Sequence, residues 1–414
     1  MSGAAERGGG GWGVAGVRSG APDFDDGERV PRGETIHRGW PPAPRGEAIK
    51  AQAYGLGFDL VGIATLGATE TARHFDAWVT RGYAGEMHYL PKWADKRRDT
   101  RSPFPGVSSA VVVAMNYGGT RPTGPVARYA RGDDYHDVMT DRLRELHRWV
   151  ESEAGRPVRG KAYVDTGPLL ERDLARRAGL GWFGKNTNLI NPQLGSFFFL
   201  GSLLLDLELD ADLPFEAERC GTCTRCIDAC PTSAIVEPLV LDATRCISYL
   251  TIELRGAIPQ HLREAMGDLV YGCDICQEVC PWNVSFAREL REPAFAAREE
   301  LAGKNARMLA RELLGMDDET FRSAFKGSPM KRAKLRGLKR NAAVVLGNIG
   351  SSDDVPALVA ALSVAEPLVR EHAAWALGRI GSVAALEPLL ARATLESDPW
   401  VLREIDSTIS ALGG

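Results

Sequence analysis

The stretch Cys220-Gly-Thr-Cys-Thr-Arg-Cys-Ile-Asp-Ala-Cys-Pro231 decides how the rest of this chain is interpreted. A second stretch, Cys273-Asp-Ile-Cys-Gln-Glu-Val-Cys-Pro281, repeats the end of the same pattern, and Cys246 lies between the two. These stretches and Cys246 hold all 8 cysteines of the chain. Cysteines confined to one segment do not form the scattered disulfide framework of a secreted protein, so we expect them to bind metal.

The spacing C-x2-C-x2-C-x3-C-P is that of bacterial ferredoxins with two iron–sulfur clusters. In that arrangement three cysteines on a tight loop bind one cluster, and the fourth binds the other. We therefore predict two [4Fe-4S] clusters. Cluster one would be held by Cys220, Cys223, Cys226 and Cys280, and cluster two by Cys230, Cys246, Cys273 and Cys276. A pair of zinc sites is the alternative, although zinc sites usually show two separated C-x2-C pairs.

The composition is typical of a globular protein, with 44% hydrophobic and 25% charged residues. These values argue against collagen-like, coiled-coil and fully disordered chains. No apolar run approaches the roughly 18 residues of a membrane helix, so we expect no membrane association. Residues 1–45 are rich in Gly, Pro and Arg and lack the apolar core of a secretory signal. We interpret them as a disordered leader of a cytoplasmic protein.

The pattern after the leader predicts an α+β fold class with three domains. Residues 46–213 mix helices and strands and form an α+β domain, and residues 214–300 form the two-cluster ferredoxin-type domain. Within the first domain we predict helices at residues 48–54, 134–153 and 168–177, strands at 59–64, 108–115 and 161–164, and a strand pair within 194–205.

Residues 301–414 contain an internal repeat. The stretch Ala342–Gly350 aligns with Ala373–Gly381, and Leu358 matches Leu389 at the same offset of 31 residues. A partial third unit follows Trp400. This periodicity predicts stacked helical hairpins of the HEAT type.

One segment of the repeat region is strongly basic, although the whole chain carries a net charge of −4. From Arg322 to Gly350 there are eight basic residues and no acidic residue: Arg322, Lys326, Lys331, Arg332, Lys334, Arg336, Lys339 and Arg340. A solvated helix face usually mixes both signs. We therefore predict a surface that docks a phosphate backbone, with a protein-binding scaffold as the alternative.

Four further motifs precede the cysteines in a fixed order: Gly85-Glu-Met87, Arg128-Tyr-Ala-Arg-Gly-Asp-Asp-Tyr-His136, Val164-Asp-Thr-Gly-Pro168 and Gly179-Leu-Gly-Trp-Phe-Gly-Lys-Asn-Thr-Asn-Leu-Ile190. Together with the eight cysteines and the repeat region they resemble the epoxyqueuosine reductase family from about residue 46 onward. The resemblance implies a cobalamin cofactor, two [4Fe-4S] clusters and reduction of epoxyqueuosine to queuosine at the wobble position of tRNA, the last step of queuosine biosynthesis. It also implies a monomer. We expect an external one-electron donor of the flavodoxin or ferredoxin type.

The resemblance also assigns roles to residues. Asp165 corresponds to the proton donor that faces cobalamin, a task suited to a buried carboxyl with a raised pKa. Without the resemblance we would interpret Asp165 as a helix cap. The implied cobalamin contacts are Arg128, Asn188, Ser248, Asp274 and, more weakly, Lys185. The implied tRNA contact is Arg255. The basic segment adds further predicted tRNA contacts: Lys331, Arg332, Lys334, Arg336, Lys339 and Arg340. Backbone capping or surface ion pairing is the alternative for each of these residues.

Two rival functions remain open. The chain resembles, more weakly, the reductive dehalogenases, which share cobalamin and two clusters, but it has no twin-arginine export signal and does have a basic tail. The other rival is an electron carrier fused to a protein-binding scaffold. That function would not explain the presence of the α+β domain. The stretch Asp134-Tyr-His136 starts a D-x-H-x-x-G cobalamin motif, but Met139 breaks it. We therefore predict no axial histidine.

Overall fold

The computed structural model describes residues 45–118 and 124–413. The predicted leader lies outside the described residues except for Arg45. In the first half of the chain the elements are α1 (Gly46–Gly55), β1 (Leu60–Thr65), α2 (Ala72–Thr80), α3 (Tyr89–Lys92), α4 (Ala94–Arg97), β2 (Ser109–Asn116), α5 (Tyr135–Ala154), β3 (Gly160–Tyr163), α6 (Glu171–Arg177), β4 (Trp182–Phe183), β5 (Leu189–Ile190) and β6 (Phe198–Leu205).

The second half of the chain is mostly helical. Its elements are α7 (Arg225–Asp228), β7 (Ile235–Glu237), β8 (Val240–Leu241), α8 (Ile247–Ile252), α9 (Gln260–Arg263), α10 (Ile275–Glu278), α11 (Pro281–Phe286), α12 (Ala306–Gly315), α13 (Asp318–Ala324), α14 (Lys334–Ile349), α15 (Val355–Ala361), α16 (Pro367–Ile380), α17 (Leu386–Ala393) and α18 (Pro399–Gly413). No helix among the described residues is long and apolar enough to cross a bilayer.

A four-stranded antiparallel sheet organises the first part of the chain, in the order β1-β2-β6-β3. Every residue of β2 is buried, because apolar side chains alternate onto two covered faces. Val111, Val113 and Met115 pack into one cluster with residues of α1 and α5, whereas the other face packs against α6. The sheet thus holds the starts of α5 and α6 in fixed positions.

Two predicted elements differ from the structure. The region 194–205 is not a strand pair, because β6 runs straight through Gly201, which pairs with Val113. A Cβ at Gly201 would lie only 3.2 Å from side-chain atoms of α5, so the glycine allows close packing rather than a turn. The helix predicted from Pro168 begins instead at Glu171, because Leu170 is not helical and residues 164–170 form a loop.

The helical hairpins of the C-terminal region are as the repeat predicts. The aligned stretches fall on α14 and α16, and Leu358 and Leu389 are both buried on the second helices, α15 and α17. One hydrophobic cluster joins these helices to α8 and to Val126 near the sheet domain. The repeat region is therefore packed onto the rest of the chain. The boundaries at residues 213 and 300 remain predictions.

Candidate active site

Asp165 lies in the loop that follows β3. Its backbone has φ 58°, in the left-handed region that costs a non-glycine residue about 1 kcal/mol. The hydroxyl of Tyr135 donates to Asp165 Oδ2 at 2.8 Å, and His136 Nε2 lies 3.7 Å from the same oxygen. Tyr135 and His136 open α5, so the sheet and this helix together aim the carboxylate. About 65% of the Asp165 side chain is exposed, and it therefore faces an open space.

The charges around Asp165 differ from our expectation of a buried carboxyl with a raised pKa. The surrounding protein partly desolvates the carboxyl, which alone would raise its pKa, but contacts with His136 and Tyr135 outweigh this effect and lower the pKa of Asp165. Burial would lower the pKa of His136, yet its contacts with Asp134 and Asp165 raise it to about 9. The free site therefore favours an ionised Asp165 beside a protonated His136.

Glu171 is a second carboxyl at this place that the sequence did not single out. Its Oε1 accepts a hydrogen bond from the backbone N–H of Asp165 at 2.8 Å. Burial and the charge of Asp165 raise the pKa of Glu171 to about 8. His136 belongs to one of the motifs of the sequence analysis. Glu171 belongs to none of them, and its contact with Asp165 depends on the conformation of the loop between β3 and α6.

Arg128 and Asp274 form a buried polar pair. Asp274 Oδ2 accepts the backbone N–H of Arg128 at 2.7 Å, and burial raises the pKa of Asp274. The guanidinium of Arg128 is 5% exposed, stacks 4.4 Å from the ring centroid of Phe197, and approaches Glu278 at 3.4 Å. Its Nε and Nη1 find no hydrogen-bond partner among the described residues. Buried N–H groups without acceptors are costly, so this position suits a ligand rich in carbonyl oxygens.

The other predicted cobalamin contacts are scattered around the cysteines. Asn188 is half-buried in the hairpin of β4 and β5, and Ser248, also half-buried, hydrogen-bonds Cys246. The ammonium of Lys185 donates to the carbonyls of Gly221 and Cys223 at 2.7 and 3.0 Å. Lys185 thus holds the first cysteine loop, and its contact with cobalamin stays a prediction.

None of the eight cysteines forms a disulfide, and they come together in two groups. Cys226 and Cys280 share a group with Cys220 and Cys223: burial raises the pKa of both thiols, and the neighbouring cysteines raise it further. This group lines a cavity of about 280 Å³ together with Lys185, Arg219, Arg225 and Phe286. The cavity opens to solvent, since its lining residues Arg219, Arg225 and Phe286 are exposed.

The second group lies deeper. Burial raises the pKa of Cys273 to about 12, with contributions from Cys246 and Cys230, and raises the pKa of Cys276 well above its usual range. Cys226 also acts on Cys276, which places the two groups side by side. Across residues 45–118 and 124–413, no three His, Cys, Asp or Glu side chains are close enough to hold one single metal ion. The groups match the two predicted ligand sets, while ligation itself remains a prediction.

Some of the predicted tRNA contacts are exposed side chains, and others are bonded to neighbouring residues of the chain. Lys331, Lys334 and Arg336 are exposed, and Lys339 is half-buried, where burial lowers its pKa. Arg332 is tied by two hydrogen bonds to Glu253. Arg255 donates to the Arg332 carbonyl at 2.8 Å, so it lies beside the basic segment.

Arg340 cannot contact tRNA, which corrects the sequence prediction. Its side chain is completely buried, and it donates to the carbonyls of Leu250, Leu254 and Gly256 at 2.5, 2.8 and 2.8 Å. Burial lowers the pKa of Arg340 to about 9. The run of basic residues does not reveal this, because Arg340 lies on the face of α14 that packs toward α8.

Three family models match separate parts of the chain. Residues 97–166 match the model described as "Epoxyqueuosine reductase QueG, DUF1730". Residues 219–283 match a 4Fe-4S double cluster binding domain, and residues 333–409 match HEAT repeats.

Similar proteins extend the match over most of the chain. An epoxyqueuosine reductase of Xanthomonas campestris pv. campestris is 43% identical over 352 residues, which cover 82% of this chain and 97% of the relative. The chain belongs to the epoxyqueuosine reductase family. The Escherichia coli (strain K12) family member is 40% identical over 80% of this chain and 89% of its own length. Members of this family are oxidoreductases, and so is this chain.

Solved structures of the epoxyqueuosine reductase family share the fold. A crystal structure with a tRNA-Tyr epoxyqueuosine-modified stem loop has a TM-score of 0.81 and 31% identity, and covers 89% of this chain and 98% of that protein. A Bacillus subtilis structure, with its catalytic aspartate loop swung out of the active site, has a TM-score of 0.79 and 30% identity over 88% of this chain and 98% of that protein.

Proposed function

We propose that this epoxyqueuosine reductase family member reduces epoxyqueuosine to queuosine in tRNA, with Asp165 as the proton donor at an open site beside two cysteine groups. The observation that carries the proposal is the placement of Asp165, whose carboxylate is held by Tyr135 and His136 and is left exposed on one side. The loop that carries Asp165 takes the role of the catalytic aspartate loop named for the Bacillus subtilis relative.

The reaction requires two electrons and two protons. Converting an epoxide to an alkene breaks two C–O bonds and releases the oxygen as water, so two protons must reach the departing oxygen. Asp165 would deliver one of them, and water would supply the other as the product is released. The substrate would cover the exposed face of Asp165, and the loss of solvent would raise the pKa of its carboxyl toward that of a donor. Protonated His136, 3.7 Å away, would pass its proton to Asp165 once the substrate covers the site, and would take up another from solvent after each turnover.

Cobalamin fits the arrangement around Arg128. The unsatisfied N–H groups of Arg128 would donate to carbonyl oxygens of the corrin side chains, and Asp274 would keep Arg128 in position. Asn188, Ser248 and, more weakly, Lys185 remain proposed contacts, and Lys185 also holds the first cysteine loop. When bound, cobalamin and the clusters would supply the electrons for the reduction.

The cysteine groups fit two [4Fe-4S] clusters in the interleaved arrangement of the sequence prediction. The first group would be the entry point for electrons, because it borders a cavity that reaches solvent, and the second group would face the interior. We propose a flavodoxin-type or ferredoxin-type one-electron donor at the exposed side. Arg219 and Arg225 lie there, and no acidic side chain lines the cavity.

We propose that the RNA is held by the exposed basic residues of the α14 region. Lys331, Lys334 and Arg336 would contact the phosphate backbone, with Arg255, Arg332 and Lys339 at the margin. The solved relative with a bound tRNA stem loop supports this kind of partner. Because tRNA is cytoplasmic, we propose a cytoplasmic enzyme, and we propose that it acts as a monomer.

The proposal is tested by an anaerobic assay. The protein is purified with reconstituted clusters and cobalamin, supplied with a strong reductant and incubated with epoxyqueuosine-containing tRNA, and the nucleosides are then analysed by mass spectrometry. We expect conversion to queuosine that stops when cobalamin is omitted. Absence of conversion by protein that holds two intact clusters and bound cobalamin would contradict the proposal and favour a small-molecule reductase.

A further inference from the structure

The backbone of Asp165 depends on one side chain outside its own loop. Residue 165 adopts a left-handed conformation within a tight turn in which Thr166 N–H donates to the Val164 carbonyl at 2.6 Å. The backbone N–H of Asp165 is directed at Glu171 Oε1, 2.8 Å away. Left-handed conformations of non-glycine residues persist only when the surrounding structure holds them.

Glu171 is well placed to stabilise the left-handed backbone conformation of Asp165. It is the first residue of α6, whose Leu174 and Ala175 are completely buried against the sheet. A carboxyl carried by such a helix has little freedom to move, whereas the loop it contacts has no regular structure. The side chain of Asp165 is held separately, from α5, by Tyr135 and His136.

The charged groups around Glu171 favour its neutral form. Asp165 faces it from the loop, His136 and Tyr135 from α5, Arg97 from α4, and Arg172 follows it on α6. Burial and the charge of Asp165 raise the pKa of Glu171 to about 8, despite the opposing effect of His136 and Arg172. At neutral pH the acceptor is therefore mainly an uncharged carboxyl oxygen, which the amide of glutamine reproduces.

We propose that Glu171 is a positioning residue that latches the Asp165 loop in its active conformation by accepting the backbone N–H of Asp165. The proposal rests on the proposed role of Asp165 as proton donor and adds a residue that acts through the backbone of Asp165. It differs from a simple helix-end role for Glu171, which would stabilise α6 without governing Asp165.

The test compares Glu171→Ala with Glu171→Gln in the reconstituted holoenzyme at pH 7. In Glu171→Ala we expect kcat to fall about tenfold to a hundredfold, with KM for tRNA changed less than about threefold, because the proton donor is misplaced while the RNA surface is intact. Hydrogen exchange of the Asp165 amide should accelerate about tenfold or more, while exchange within α6 stays unchanged. Glu171→Gln should behave as wild type in all three measurements.

A matched control is Glu47→Ala, which removes an acidic residue from the first turn of another helix, α1, where its carboxylate pairs with Lys50. Wild-type exchange of the Asp165 amide in Glu171→Ala would overturn the proposal, and so would a Glu171→Gln variant as impaired as Glu171→Ala. Accelerated exchange throughout α6 would also overturn it, because it would indicate a structural role. Hydrogen exchange is measured without substrate. It therefore tests whether Glu171 holds the Asp165 loop even if Asp165→Ala turns over normally and the proton-donor role fails.

Discussion

At the scale of the residue, the site is a chain of linked charges rather than a single carboxylate. Asp134 Oδ1 lies 2.7 Å from His136 Nδ1, and His136 Nε2 approaches Asp165. Each of these contacts stabilises the protonated imidazole, so His136 is held charged at a pH where a free histidine is neutral. The ring also stacks on Tyr135, with centroids 4.0 Å apart, which keeps both donors aimed at Asp165.

This charge state gives a pH dependence of stability. The pKa of His136 is raised to about 9 in the folded protein, so its stabilising contribution is fully present below the unfolded value near 6.5 and is lost as the pH rises through about 9. We expect His136→Gln to lower Tm by roughly 2 to 4 °C at pH 6.5 and by much less at pH 9.5. Thermal unfolding of both proteins across this range checks the prediction, and a pH-independent difference would contradict it.

At the scale of the element, α14 is fixed to the cysteine region by one buried guanidinium. Arg340 donates N–H hydrogen bonds to the carbonyl of Leu250 in α8 and to those of Leu254 and Gly256, which follow α8. Next to it, Asn341 donates to the carbonyls of Thr251 and Val270 at 2.8 and 2.9 Å. These bonds join the basic helix to the segment that carries Cys246 and Ser248.

Removing that guanidinium should be costly. Arg340→Met would leave three buried carbonyls without donors, and we expect the free energy of unfolding to fall by about 3 kcal/mol or more. Lys339→Met, one position away and half-buried, is the control and should change stability by less than about 1 kcal/mol. Denaturant titration measures both variants. Equal effects would show that Arg340 is not the fastening residue.

The exposed basic residues of the same helix region should act on RNA affinity instead. We expect Lys331→Ala and Lys334→Ala each to weaken tRNA binding and to reduce the slope of log affinity against log salt by about 1. Lys304→Ala is the control, because this lysine lies outside the basic segment and pairs with Glu312. Binding isotherms at several salt concentrations decide, and an unchanged slope in both variants would place the RNA elsewhere.

Particular elements show what the sequence could and could not predict. The spacing of eight cysteines and the repeat of Ala342–Gly350 at Ala373–Gly381 are periodic signals. The repeat lies on α14 and α16, as predicted, and the two cysteine ligand sets stay a prediction. The inward turn of Arg340 was not predictable from a basic run, because charge composition does not state which face of a helix is covered. Glu171 was missed because its role depends on a loop conformation at Asp165 that no residue pattern encodes.

At the scale of the whole molecule, electrons enter beside the first cysteine group and RNA binds at the basic helix in the proposed function. Arg219 and Arg225 are exposed beside the first cysteine group. We expect Arg219→Glu combined with Arg225→Glu to slow cluster reduction by an acidic flavodoxin about tenfold at low salt, since rim charges govern the association rate. Reduction by dithionite should be unchanged. Stopped-flow bleaching of the cluster absorbance measures both, and equal slowing with dithionite would indicate damaged clusters.

The central claim is that Asp165 protonates the oxygen that leaves epoxyqueuosine, and a single-turnover comparison of wild type and Asp165→Ala tests it most directly. Both proteins are loaded with clusters and cobalamin, their iron and cobalt contents are measured, and the reduced proteins are mixed with a limiting amount of epoxyqueuosine-containing tRNA. We predict queuosine in the wild type and none in Asp165→Ala, at equal cofactor content and equal tRNA affinity. Queuosine formed at the wild-type rate by Asp165→Ala would contradict the account.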